Sequence, residues 1–568
     1  MRDKGDLESA AALISPYAEG EADDPEASLL LADIERARGD GAAAERRVRA
    51  VVAAHPDKVD ALMMLGTVLR DAGDLRGAMD VYLKVLSLAP EDLGPRIDLA
   101  LVLIALDQAH DATILLQYVL NRDPDSAEAH CNRGIALRRL SRMPEAFEHF
   151  RRAVEIRPGE VAFRNNFGLA LRELDRLDEA EAELRCALEL APEDARSRNN
   201  LASVLRELGR PEEAREALLP LIRPEQPSGE VWGTWGAVLQ DLGDVTGARA
   251  AFDRSVALEP QSAELRLSRA FHILYTGDFE RGWPEYDARL DAVDSPRRGF
   301  AFPEWEGGAF AGRSVLVYSE QGYGDELMFA SCFPDLIAEA SGVTIECDPR
   351  LRALFARSFP KTAVVSGETR GEHGWLAGIG KIDVQVAAGS LPRRYRPSMA
   401  SFPARPCYLI ADPERVERYR ARLGALGTGP KIGLSWRGGL ARTRRAVRSL
   451  APADLQTMLA RPDAHFVSLQ HAPAETDLAE LAELAPGRFH HWPDALADAD
   501  ESAALMRGLD CTITVCSSVV HLGGALGLDV RVLVPANPEW RYLHAGHGMP
   551  WYPSVRLHRR LPGADWSA

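Results

Sequence analysis

A chain of 568 residues, 46% hydrophobic and 27% charged, is too long for one core; at about 150 residues per domain it calls for three or four. Its formal net charge of −17 at pH 7 argues against a general binder of nucleic acid or anionic membranes. The seven cysteines, at 131, 186, 332, 347, 407, 511 and 516, form no CxxC pair, which fits a reducing compartment better than a disulfide framework.

The N-terminal stretch "MRDKGDLESAAALISPYAEG" is too acidic and too weakly apolar for a signal peptide. No run reaches the ~20 apolar residues that span a bilayer. These features predict a soluble, cytoplasmic protein with no membrane insertion and no nucleic-acid partner. Residues 1–24 read as an N-terminal helical cap.

From residue 25 a 34-residue period takes over. Prolines stand at 56, 90, 124, 158 and 192, and the phase returns at Pro260. A small residue recurs in step at Ala32, Gly66, Ala100, Gly134, Gly168, Ala202, Gly236 and Ala270. A second small series, twelve positions later, runs from Ala44 to Gly282. Small residues at two fixed phases let paired helices approach closely, and proline closes each pair. The pattern resembles the tetratricopeptide repeat over residues 25–296, with seven repeats and a degenerate eighth ending in "GDFERGWPEYDARL".

Such arrays are superhelices whose concave face comes from the first helix of each repeat. On that helix Asn132, Asn166 and Asn200 share one phase, and Arg138, Arg172 and Arg206 share another, six residues on. One reading is an asparagine ladder that hydrogen-bonds the main chain of a protein acceptor, with the arginines reading its acidic groups. A similar ladder serves peptide acceptors in the eukaryotic O-linked GlcNAc transferase. The plainer reading is helix packing and a solvated face.

Beyond a connector at 297–312 the periodicity changes. The runs "SVLVYS", "VTIEC", "AVVS" and "DVQVA", then "KIGLSW", "HFVSLQ", "CTITVC" and "VRVLVP", alternate with helical segments. Strands alternating with helices imply parallel sheets. The strand groups, at 313–408 and 430–535, flank a linker with one helix, assigned to 409–429. The predicted fold class is an α-solenoid (a TPR superhelix) followed by an α/β GT-B fold of two Rossmann-like lobes. Its N-terminal lobe covers 313–408 and its C-terminal lobe 430–568.

The motifs "SEQGYGDELMFA", "GLSWRGG", the Arg448-Ser449 pair, "FVSLQ", "ESAALMRGLDCTITVCSSVVHLGGALG", "EWR" and "PWYPSVRLHR" occur in that order. Together they resemble the bacterial proteins that join tetratricopeptide repeats to a heptosyltransferase-like GT-B domain, a family that includes the flagellin-modifying glycosyltransferases of alphaproteobacteria. The resemblance implies a metal-independent protein O-glycosyltransferase with no cofactor. It names a nucleotide sugar, bound by the C-terminal lobe, as co-substrate, a CMP-linked nonulosonic acid such as pseudaminic acid as donor, and Ser or Thr of flagellin as acceptor. Two other readings stay open: transfer to lipopolysaccharide or another glycolipid, and a non-catalytic repeat scaffold with a decayed transferase domain.

By the same resemblance Asp325 is the general base, taking the acceptor hydroxyl's proton. The plainer alternative is that it caps the helix it precedes. Gly322 and Gly324 are expected to let the loop turn tightly and leave room for sugar, with Glu320 orienting the loop. In "CTITVCSSVVHLGGALG" a strand ends at Cys516 and a helix begins near Ser518, so free N–H groups and the dipole end suit a phosphate. Ser517, Ser518 and His521 are the donor-side candidates there; the family carries Asp-Thr where this chain has Cys516-Ser517. Arg448 matches the family's basic residue that holds donor phosphate, with Arg437, Arg442, Arg444 and Arg445 as weaker candidates. The "DAD" at 498–500 mimics a metal-binding DxD, but capping by Asp500 is the preferred reading, and no metal is assigned.

Overall fold

The structure is a computed structural model, and it describes residues 4–18, 24–223, 228–292, 298, 300–366, 373–439, 445, 447–561 and 566. It divides into two compact units, Met1–Val204 and Leu205–Ala568.

In the first unit helices pack in consecutive pairs: Pro25–Ala37 with Gly41–Ala54, Val59–Asp71 with Leu75–Leu88, and Gly94–Ala105 with Ala109–Arg122. Ala127–Arg139 pairs with Met143–Ile156, and Val161–Glu173 with Leu177–Leu190, while Lys4–Ala18 packs against the first pair. The alanines of both small series are fully buried. A Cβ at Gly66 would stand 2.6 Å from the Tyr82 ring, and one at Gly134 2.7 Å from the Phe150 ring. The large residue of one helix thus occupies the space its partner leaves, which is close packing at fixed phase.

A third series with the same period closes each first helix in the left-handed region: Gly39, Gly73, Asp107, Ser141, Asp175, Gly209, Gly243 and Gly277 all have positive φ. This is the usual way to end a helix and reverse the chain. In the sequence it is a run of Gly, Asp and Ser at a third phase, less conspicuous than the prolines and the small residues.

The second unit begins within the helix Ala195–Glu207 and continues through Pro211–Leu218 and the pairs Gly229–Asp241 with Val245–Leu258 and Ala263–Tyr275 with Phe279–Tyr286. Two sheets come next. The first contains β1 (Ser314–Tyr318), β2 (Gly342–Cys347), β3 (Ala363–Ser366) and β4 (Val384–Ala387), all parallel, in the order β3-β2-β1-β4. The second contains β5 (Lys431–Ser435), β6 (His465–Ser468), β7 (Phe489–His490), β8 (Cys511–Val515), β9 (Val530–Val534), β10 (Gly548–Met549) and β11 (Tyr552–Arg559). Its order is β10-β11-β9-β8-β5-β6-β7, parallel except for the edge strand β10.

All eight strand runs read from the sequence are strands. The second sheet, however, does not end at residue 535. It gains β11, in which Tyr552, Val555 and Leu557 are buried while Pro553, Arg556 and His558 are exposed. The linker helix is Pro413–Gly424, capped by Asp412, and Tyr408 and Leu409 both donate backbone N–H groups to Ala525 O. No helix among the described residues is long and apolar enough to cross a membrane.

Candidate active site

Parallel sheets bind ligands beyond the carboxyl ends of their strands. In the second unit those ends converge on one cavity of about 520 Å³. Asp325 reaches it from the helix after β1, Gln470 from the end of β6, Ser517 from β8 and Arg541 from the segment after β9. Gly324, Arg448, Ser518 and His521 line the same cavity. Gly322, Glu320 and Arg445, also singled out in the sequence, are absent from its lining.

Asp325 lies in the first turn of Tyr323–Phe329, whose N-cap is Gly322 with no side-chain cap bond. Its carboxylate accepts from Arg541 through both Nε, at 3.1 Å, and Nη2. Both contacts are to Oδ1, which leaves Oδ2 to meet a ligand. Burial pulls the Arg541 pKa down, but the facing Asp325 carboxylate, helped by Tyr286 and Tyr542, raises it overall. Two residues on, Leu543 is held at φ 58°, a strained conformation for a branched side chain and of the kind that collects at functional sites.

The glycines act differently from the expectation. Gly322 has ordinary extended backbone, φ −78° and ψ 163°, so no special turn explains it. Gly324 lies in close approach to the donor-side helix: a Cβ there would stand a tight 3.3 Å from His521 Cδ2 and in ordinary contact, 3.6 Å, with Ser518 Cα. Glu320 is buried away from the cavity, accepting from Arg289 at 2.8 and 3.0 Å and from Gly389 N at 3.2 Å. It ties the loop to the end of the last helix pair.

Ser517 is the N-cap of Ser518–Ala525, its hydroxyl accepting from Val519 N at 3.3 Å. His521 is 5% exposed, with Nδ1 at 3.1 Å from Tyr552 OH. Burial, reinforced by Arg541, pushes its pKa down to about 3. It is therefore neutral, and offers a hydrogen bond rather than a charge. Burial raises the Cys516 thiol to about 12, so it does not replace the family's carboxylate. Arg448 pairs with Glu539 at the cavity wall.

Arg437 lines the cavity but forks onto Asp477, with both bonds at 2.8 Å. Arg445 is exposed, and Arg442 and Arg444 lie outside the described residues. The expected cap at Asp500 is corrected. Asp498 caps Ala499–Gly508, accepting from Glu501 N at 2.7 Å, while buried Asp500 pairs with Arg357. Asp498 has the extended backbone an N-cap needs, and Asp500 is already inside the helix.

On the repeats, Asn166 donates to Cys131 Sγ at 3.2 Å and Asn200 to Asn165 Oδ1 at 2.7 Å, while Asn132 is buried. Arg138 pairs with Glu173 at 3.0 Å and Arg206 with Asp241 at 2.7 Å; Arg172 shares their phase. Each of these partners lies one repeat away, so the side chains also tie neighbouring repeats together.

Arg541 and its neighbour Glu539 are site residues that the sequence did not single out. The motif "EWR" marked the place, but an ion pair between distant segments has no local signature.

Residues 29–92 and 97–161 match one tetratricopeptide repeat family, and residues 160–219 match another. The curated Protein FlbA of Caulobacter vibrioides is 32% identical over 320 residues, covering 53% of this chain and 53% of FlbA. The chain thus spans about half the length of the curated relative it matches. A tetratricopeptide repeat protein from Parabacteroides merdae is 18% identical with a TM-score of 0.37, covering 44% of this chain and 98% of that one. A thermophilic repeat protein of Thermus thermophilus is 23% identical with a TM-score of 0.31, covering 32% and 100% respectively.

Proposed function

We propose that this tetratricopeptide-repeat protein is a metal-independent O-glycosyltransferase, moving a sugar from a nucleotide donor to a Ser or Thr hydroxyl of a protein gathered by the repeats. One observation carries the reading: Asp325, Arg448, Ser517, Ser518, His521 and Arg541, drawn from both sheets, line a single cavity at the carboxyl ends of the strands. A base and a set of phosphate-compatible donors there match what transfer from a nucleotide sugar requires.

Asp325 takes the hydroxyl proton on Oδ2 while Arg541 holds Oδ1. The freed oxygen forms a bond to the donor's anomeric carbon, and the bond from that carbon to the phosphate oxygen breaks. The leaving phosphate keeps the electron pair. Its growing charge is met by the N–H groups opening Ser518–Ala525 and by Arg448. Neutral His521 adds a hydrogen bond. By family resemblance the donor is a CMP-linked nonulosonic acid such as pseudaminic acid, and the acceptor is flagellin, with Asn132, Asn166, Asn200, Arg138, Arg172 and Arg206 contributing to its capture.

The test is intact-mass analysis of flagellin co-expressed with the chain. The wild type adds the sugar mass, and Asp325→Asn, which preserves shape but cannot take the proton, lowers turnover roughly 10²–10⁴-fold. Near-normal glycosylation by a folded Asp325→Asn protein overturns the general-base assignment.

A further inference from the structure

A second cavity, of about 410 Å³, adjoins the first and shares Arg448, Glu539 and Arg541 with it. We propose, resting on the transferase reading, that this cavity is the subsite for the uncharged peptide segment flanking the acceptor hydroxyl. Its chemistry favours a peptide over a second anion. Two of the arginines in its wall are held by carboxylates, Arg289 by Glu320 and Arg541 by Asp325, and the third, Arg448 beside Glu539, is the one the leaving phosphate engages from the first cavity. A phosphate or a charged side chain would enter without an uncompensated partner, and burying an unpaired charge is costly.

Three side-chain amides point the same way. Gln240, Gln321 and Asn537 line the cavity. Gln240 is held by His272 at 2.8 Å and by Asn537 at 3.4 Å, Asn537 donates to Asp241, and Gln321 donates to Tyr286 OH at 2.6 Å. These bonds fix the amides yet leave each with further donor or acceptor capacity. A primary amide offers both functions, which is what a peptide main chain needs on each side. Leu267, Phe271 and Trp540 supply the apolar wall for a side chain. Phe271 is 39% exposed, an open aromatic surface beside otherwise buried rings.

The position fits the reaction. The two cavities meet where Arg541 holds Asp325, so a segment lying in the second presents its hydroxyl to the base from a side separate from Ser517 and Ser518. The same network reaches the repeats, because Asp241 bonds both Asn537 and Arg206. Arg206, read from sequence as an acceptor residue, therefore supports this wall.

The experiment uses the full chain with Phe271→p-benzoylphenylalanine, irradiated with N-acetylated, C-amidated octapeptides carrying one central Ser. Labelling of a peptide with Leu or Val beside the Ser, at least fivefold above one with Asp there, is expected. Absent labelling, or labelling of a lipopolysaccharide core oligosaccharide instead, overturns the proposal. In parallel, Phe271→Asp should raise the KM for flagellin at least tenfold, with acceptor-free cleavage of the nucleotide sugar unchanged. A KM within twofold of wild type also overturns it. A chain that labels the peptide but cleaves no nucleotide sugar keeps the peptide subsite and removes the transferase reading.

Discussion

In the repeats Arg138 meets Glu173 and Arg206 meets Asp241, each 35 residues further along the chain, whereas in the cleft Asp325 meets Arg541 across 216 residues. The groups are the same, and the information that places them is not. A pair repeated with the helical period ties one repeat to the next, and its exposed members contribute little stability. The cleft pair is three-quarters or more shielded from solvent on each side chain, and it exists only once two sheets have formed. A periodic contact is specified locally; the cleft contact is specified by the whole second unit.

Substituting one glycine in each region sharpens the contrast. Gly324→Val would push its branches against His521 and Ser518, and misplacing reacting groups by about 1 Å can cost roughly 10²-fold in rate. Gly134→Val would overpack against Phe150, with an expected loss of about 1–3 kcal/mol in stability. Denaturant unfolding and acceptor-free nucleotide-sugar cleavage separate the two: the first variant should lose cleavage and the second should keep it. Loss of cleavage in a folded Gly134→Val protein would break the contrast.

Acid should affect both regions in the same direction. Burial pushes His149 and His272 down to about 4 and His521 to about 3. The unfolded chain therefore takes up protons first, and these histidines withdraw stability as pH falls from about 6.5 towards 4. Buried Glu326 is pushed up to about 8, so its contribution is eroded in the other direction, as pH rises from about 4.5 to 8. Melting temperature against pH should show both slopes, and His149→Gln should flatten the acid one. An unchanged acid slope would remove His149 from this account.

The smallest expected effect is that of Arg138→Ala, within about 0.5 kcal/mol of wild-type stability. Its capture of flagellin should nevertheless weaken if the arginine stripe reads acidic groups. Equal recovery of flagellin by the variant and the wild type would leave Arg138 with its tie to Glu173 alone.

Much of the fold was legible because it repeats or alternates. Small residues at two phases located the helix pairs, and β-branched runs located eight strands. β7 escaped because two residues make no pattern, and β11 because its arginines and Pro553 mask an alternation visible only once burial is known. In the cleft the local motifs singled out Asp325, Ser517, Ser518 and His521, and the structure brings them together. Their partners were not legible. Nothing near Arg541 announces Asp325, and nothing in "DAD" separates Asp498, which caps, from Asp500, which Arg357 holds.

The end of the repeat array carries a consequence for how such proteins diversify. Trp283 donates its indole N–H to Arg396 O at 2.7 Å and packs edge-on to Trp540 and Trp551. Tyr275, Phe279 and Tyr286 share its core with Phe310, Val315 and Phe329. A recombination joint placed after Tyr286 would strand these rings on the donor half and leave a matching hole in the recipient. A joint in the turn Ala191–Asp194 strands none of them. Lineages can therefore lengthen, shorten or exchange the early repeats in 34-residue steps, while the last pairs are inherited with the α/β core as a single heritable block.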